Sequence, residues 1–172
     1  MRLAPAAMLA VFGLGLAACA AHRPREPATT PPGTALSSSA GASAVPAESG
    51  GALFVAAAVA MVGQPYRWGG AEPGGFDCSG LVVYAARRAG LDLPRMAREQ
   101  ARTGAAVARK QLQAGDLVFL HLARKELHVG IAVDAGHFVH APSSGGTVRI
   151  DSLAAPPYVN AYLHARRLSF AR

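Results

Sequence analysis

Between Ala20 and Gly51 the chain holds almost no large apolar side chain; it is alanine, proline, serine, threonine and glycine, with Pro31-Pro32 and Ser37-Ser38-Ser39 typical. Such a stretch cannot bury enough surface to offset the entropy of ordering it, so residues 19–51 read as a flexible tether. About 30 residues of this composition span roughly 30 Å as a coil. What folds must come from residues 52–172, a length that suits one compact domain. The hydrophobic fraction of 51% and the mean hydropathy of +0.23 look membrane-like. However, no run of about 20 apolar residues follows position 20, which excludes a polytopic membrane protein. Two cysteines, Cys19 and Cys78, are too few for a disulfide scaffold or a four-thiolate zinc site.

Residues 1–18 carry Arg2, an apolar stretch from Leu3 to Leu16 broken by Pro5, and small residues before Cys19. This is the pattern of a secretion signal. Leu16-Ala17-Ala18-Cys19 resembles the bacterial lipobox. The resemblance implies that the signal is removed and that Cys19 becomes the acylated first residue. Each buried CH₂ of its chains contributes about 0.8 kcal/mol to membrane anchoring. Ala20, where an aspartate would mark inner-membrane retention, implies the outer membrane, facing the periplasm. Cys78 then has no intramolecular partner in an oxidising compartment, and an unpaired exported thiol needs an explanation.

The net charge is +7; without Arg2, and with the tether's charges cancelling, the folded part carries +6. A basic surface suits an anionic lipid, a nucleic acid or a carboxylate-rich polymer. The export signal argues against nucleic acid as the partner. Arg95, Arg98, Arg102, Arg109 and Lys110 cluster in one stretch, which also fits a solvated helix face and loop.

Within the domain, the pattern predicts a helix over Leu53–Val62, ended by Gly63-Gln64-Pro65, and a loop over the glycine-rich residues 69–75. A second helix is expected over Cys78–Ala89, with Asp77 as N-cap and Gly90 just past its end. Short strands follow at Asp116–His121, Leu127–Val133, His137–Ala141, Val148–Asp151 and Ala161–Arg167. Helices followed by an antiparallel meander make the fold class α+β.

Cys78 in the first turn of its helix faces unpaired N–H groups and the positive dipole end, which favour the thiolate. A thiol peptidase also needs an imidazole to share the proton and a group to fix that imidazole. His128 and His140 are the candidates. If residues 127–133 and 137–141 form a hairpin through the three-residue loop Asp134-Ala135-Gly136, residues whose numbers sum to 270 lie opposite each other. His128, Gly130, Ala132, Phe138 and His140 then share one face and Val129, Ile131, Val133 and Val139 the other. On this reading Gly130 and Ala132 leave room for the Cys78 helix. A two-residue loop would send the histidines to opposite faces. His22 in the tether, and His121, His137 and His164 off this face, read as surface or satisfied histidines.

Pro65-Tyr66-Arg67-Trp68-Gly69-Gly70, Phe76-Asp77-Cys78-Ser79-Gly80-Leu81-Val82, Leu93-Pro94-Arg95, Gly115-Asp116-Leu117-Val118-Phe119, His128-Val129-Gly130-Ile131 and Phe138-Val139-His140-Ala141 together resemble the NlpC-type cysteine peptidases of bacterial cell walls. The resemblance spans about residues 53–168. It implies a papain-like α+β fold with the nucleophile helix packed on an antiparallel sheet, and hydrolysis of amide bonds in peptidoglycan stem peptides. It further implies Cys78 as nucleophile, His128 as base then acid, and His140 as the orienting group. Tyr66 would contact the reacting carbonyl or substrate, and Asp77 and Ser79 would help hold the stem peptide, although Asp77 also reads as a helix cap. The Cys78 N–H is the natural oxyanion donor. Met96-Ala97 stands where the family has a small hydroxyl residue, while Gln100 is kept. Arg95 suits a bidentate grip on a stem carboxylate, and equally a structural role.

The single-domain layout resembles the members that cut the D-alanyl–meso-diaminopimelate cross-link; others cut γ-D-glutamyl–diaminopimelate. Neither metal nor cofactor is expected. A catalytically idle wall-binding lipoprotein is the rival, and a metallopeptidase lacks any His-Glu-x-x-His spacing.

Overall fold

The computed structural model describes residues 49–122, 127–144 and 146–170. Cys19, His22 and the signal and tether up to residue 48 lie outside the described residues. Among those described, no helix is long and apolar enough to cross a membrane.

Helix α1 runs Gly50–Val59. It starts three residues before the expected Leu53, because Ser49 caps it by accepting from the N–H of Ala52. The expected boundary at residues 51/52 thus falls inside its first turn. Phe54 and Ala58, one turn apart, point into the core, and the ring of Phe170 closes over Phe54 at 5.5 Å. The glycine-rich segment is more ordered than its composition suggests, since Ala71–Glu72 (β1) and Gly75–Phe76 (β2) form a small antiparallel hairpin. Helix α2 spans Cys78–Arg88 as expected, and Gly90 follows its C-cap at φ 75°. A short α3, Ala97–Gln100, and a strand β3, Ala105–Val107, were not expected from the sequence.

The remaining strands are β4 (Leu117–His121), β5 (Leu127–Ala132), β6 (His137–His140), β7 (Arg149–Ser152) and β8 (Tyr162–Arg167). All six long-sheet strands pair antiparallel in the order β3-β8-β4-β5-β6-β7. A plain meander was expected, yet only β4 to β7 form one. Residues 153–161, which include Leu153, Tyr158 and Ala161, cross one face of the sheet and return β8 to the far side of β4.

Both sheet faces are covered, and the alternation of β4 shows how. Leu117 and Phe119 join Val129, Ile131 and Val139 under α1 and α2, while Val118 and Leu120 join Ala132, Phe138 and Tyr158 under the returning segment. Phe54, Phe76, Phe119 and Phe138 are fully buried; each contributes roughly 1.5–3 kcal/mol of apolar transfer. Burial on both faces is why β4 reads as a continuous apolar run and not as an alternating one.

Candidate active site

The hairpin that carries the two histidines has the expected register. Ile131 pairs with Val139 and Ala132 with Phe138, and the Val133 N–H bonds the His137 carbonyl across the loop. The loop itself is fixed by Asp134, whose Oδ1 accepts from the N–H groups of Gly136 and His137 at 2.6 and 2.8 Å. His128 and His140 accordingly fall on one face. Their rings meet nearly at right angles, with Nε2 of His128 2.8 Å from Nδ1 of His140, and both are buried.

Helix α2 does not lie where Gly130 and Ala132 were expected to make room for it. It packs instead on the Val129, Ile131 and Val139 face. What the missing Cβ of Gly130 accommodates is the hairpin's own side chains, because a Cβ there would stand 2.6 Å from Phe138 Cδ2 and 3.1 Å from the His140 Cβ. The first residue of α2 instead reaches β5 next to His128. The β5–β6 ladder runs from Ala132 to Ile131, and two residues beyond it the N–H of Val129 is directed at the Cys78 sulfur. Cys78 and His128 therefore open into one cavity of about 570 Å³, which Tyr66, Asp77, Ser79 and Arg95 also line.

The start of α2 is fixed by polar contacts and by close backbone packing. Asp77 caps it, its Oδ1 accepting from the Gly80 N–H at 2.7 Å and its Oδ2 from the Gly69 N–H at 3.0 Å. A Cβ on Gly80 would collide with the carbonyl oxygen of Gly70, the same oxygen that accepts from the Asp77 N–H at 3.0 Å. Glycine is needed at position 80 for the helix to approach Gly70, the residue before β1, this closely.

Arg95 does not stand open as a carboxylate grip. Its Nη1 and Nη2 engage Asp77 Oδ1 and Oδ2 at 2.9 and 2.6 Å, and Nη1 also donates to the Ser79 hydroxyl at 2.9 Å. Gln100, fully buried, donates to the carbonyls of Ser79 and Pro94 and ties α3 to α2. Met96 and Ala97 present apolar surface to the cavity.

Three residues behind the histidines were not singled out from the sequence. Nε2 of His140 lies 2.9 Å from Asp151 Oδ2. That oxygen also accepts from Arg149 Nε and from the Tyr158 hydroxyl, both at 2.7 Å. Trp68, 84% exposed, stands at the cavity's mouth, and its place in the Pro65–Gly70 motif is the sequence signal that marks it.

Burial dominates the electrostatics. It pushes the Cys78 thiol up, against the N–H of Val129, which pulls it down. Burial first and His140 second lower the His128 imidazole to about 3. His140 is also lowered by burial, opposed by its hydrogen bond to Asp151. For Asp151, burial acts to raise the carboxyl, but hydrogen bonds from Arg149, His140 and Tyr158 outweigh it and hold it at about 2. Burial thus favours the neutral forms of the Cys78 thiol and of both imidazoles, with the Asp151 carboxylate behind His140. Among the described residues, no three His, Cys, Asp or Glu side chains converge as metal ligands.

YafL of Escherichia coli (strain K12), named a probable endopeptidase, is 42% identical over 114 residues, covering 63% of this chain and 46% of YafL. MepH of the same organism, named a murein DD-endopeptidase, is 41% identical over 114 residues, covering 63% of this chain and 42% of MepH. The match thus spans less than half the length of either relative. Among solved structures, the NlpC/p60 domain of the peptidoglycan hydrolase SagA superposes with a TM-score of 0.59 at 35% identity, covering 69% of this chain and 98% of that domain. An NLP/P60-family protein similar to lipoprotein from Staphylococcus aureus gives a TM-score of 0.65 at 29% identity, covering 72% of this chain and 43% of that one. The α+β papain-like architecture is thus shared with solved members, and residues 63–167 match the model of the NlpC/P60 family, to which this chain belongs.

Proposed function

We propose that the chain is a lipid-anchored, cysteine-dependent peptidoglycan endopeptidase, held through Cys19 at the outer membrane and facing the periplasm, whose bond is the D-alanyl–meso-diaminopimelate cross-link. The observation that carries the catalytic part is one cavity lined by both Cys78, at the start of α2, and His128, whose ring is hydrogen-bonded to His140. The names of MepH and SagA support the polymer, and that of MepH the bond. The lipobox supports the anchor.

The chemistry follows from the resting state. As the Cys78 sulfur attacks the scissile carbonyl, its proton passes to His128 and the carbonyl oxygen gathers negative charge, which the Cys78 N–H stabilises. When the C–N bond breaks, His128 returns the proton to the leaving amine and a thioester remains. Water, deprotonated by His128, then releases the acid and the thiol. Neutral, buried His128 is suited to accept a proton only at the moment of attack. Tyr66, which lines the cavity, contacts the reacting carbonyl, and Arg95 acts mainly by holding Asp77 and Ser79.

The test is incubation of wild type and Cys78→Ala with purified cross-linked peptidoglycan under reducing conditions, with products identified by mass spectrometry. Conversion of cross-linked dimers to monomers by wild type alone supports the proposal. Stems truncated after D-glutamate would replace the bond with γ-D-glutamyl–diaminopimelate. An unchanged polymer with both proteins would favour a wall-binding module. For the anchor, Cys19→Ala should move the chain from the membrane fraction to the soluble one.

A further inference from the structure

The bond between the two histidines has two possible polarities, and the triad alone does not choose between them. At 2.8 Å, Nε2 of His128 and Nδ1 of His140 share one proton. If it sits on His140, the remaining proton of neutral His128 is forced onto Nδ1, the ring nitrogen left for the thiol, and His128 cannot act as a base. If it sits on His128 Nε2, Nδ1 is bare and can accept.

The residue next in line settles the choice. The other nitrogen of His140 faces Asp151 Oδ2 at 2.9 Å, and a carboxylate only accepts. His140 must therefore carry its proton on Nε2, and a neutral His140 then offers a bare Nδ1 to His128. The same Oδ2 is gripped at 2.7 Å by Arg149 and at 2.7 Å by Tyr158, so it is oriented and kept ionised. Register provides the placement: β6 and β7 pair His140 with Arg149 and Phe138 with Asp151, which sets all four side chains on one face. We propose that Asp151, with Arg149 and Tyr158 holding it, is a positioning residue that fixes the direction of the His128–His140 hydrogen bond and so leaves His128 Nδ1 free to take the Cys78 proton.

Without this carboxylate the polarity should reverse. The Tyr158 hydroxyl, 3.4 Å from His140 Nε2, would lose its acceptor and donate to that nitrogen instead. His140 would then hold its proton on Nδ1 and push the His128 proton onto its own Nδ1.

The proposal rests on the catalytic reading above, and its test is independent of turnover. Imidazole ¹⁵N spectra of the full chain, in which two-bond couplings distinguish Nδ1–H from Nε2–H, should show Nε2–H on both His128 and His140 in wild type. D151A should move both protons to Nδ1. D151N, which keeps an acceptor oxygen without its charge, should keep Nε2–H. With peptidoglycan as substrate, D151A should lower kcat about 10²-fold or more with KM little changed, and D151N less, as expected when an orienting carboxylate beyond an imidazole is lost. Nδ1–H on His128 in wild type would overturn the proposal whether or not D151A folds. So would a folded D151A with wild-type tautomers. Because the spectra need no substrate, a chain inert toward peptidoglycan that still shows the expected tautomers would count against the proposed reaction and not against Asp151.

Discussion

Arg95 and Asp77 face each other fork to fork, with Nη2 to Oδ2 at 2.6 Å and Nη1 to Oδ1 at 2.9 Å, so a residue of the α2–α3 connection holds the N-cap of α2. Arg95→Ala leaves a mostly buried Asp77 carboxylate without its main cation. Expected is a loss of about 1–3 kcal/mol in urea unfolding and a fall in hydrolysis. Arg95→Lys should recover less than half of either, because an ammonium cannot reproduce the two parallel bonds.

Gly80→Ala tests the close approach of α2 to Gly70. Alanine is the better helix former, so propensity alone would stabilise the chain. The collision with the Gly70 carbonyl makes the opposite expected, a destabilisation of about 1–3 kcal/mol by overpacking. A variant that unfolds at or above the wild-type urea midpoint would disprove the packing argument.

The His128 imidazole gives a stability signature with a definite sign. Its folded value of about 3 lies below the ordinary 6.5, so between these pH values the unfolded chain binds a proton that the folded chain refuses. Its contribution is complete above pH 6.5 and is lost as pH falls toward 3, with a slope of up to about 1.4 kcal/mol per pH unit. The neutral variant His128→Gln should flatten that part of the stability profile. Denaturant titrations of both proteins at pH 7, 5.5 and 4 measure the difference.

Because burial raises the Cys78 thiol, alkylation of the free protein by iodoacetamide should keep accelerating as pH rises through 8 and 9. A rate that is flat from pH 5 to 8 would instead show a thiolate already paired with an imidazolium.

Trp68, 84% exposed at the cavity's mouth, contributes little to the core. Trp68→Ala should leave thermal stability within about 0.5 kcal/mol of wild type while raising KM for intact peptidoglycan more than it lowers kcat.

How far these features were legible in the sequence depended on whether local residues fixed them. Asp77 before Cys78 and Gly90 after Ala89 bound α2 through capping, which is local, and the helix appears where those residues place it. The His128–His140 geometry was readable because the three-residue loop sets the β5–β6 register. Asp151 escaped because eight residues separate His140 from Arg149, and a connection of that length leaves the β6–β7 register open. The face on which α2 packs was misjudged for a related reason. Small residues at Gly130 and Ala132 suggest a close neighbour, but only the tertiary arrangement shows that the neighbours are Phe138 and His140 of the adjoining strand. The return of β8 to β4 likewise depends on a connection with no periodic pattern.

The contact of Phe170 with Gly50 and Phe54 brings the last strand's extension against the first turn of α1. The chain thus enters and leaves its folded unit at a single corner. A unit built this way can be spliced into a longer polypeptide, at a linker or at a terminus, without cutting through its core. Relatives in which the matched region makes up less than half of the whole are what such a portable unit allows. By the same geometry, a circular permutant that joins residue 170 to residue 49 through a few glycines should keep its cavity intact.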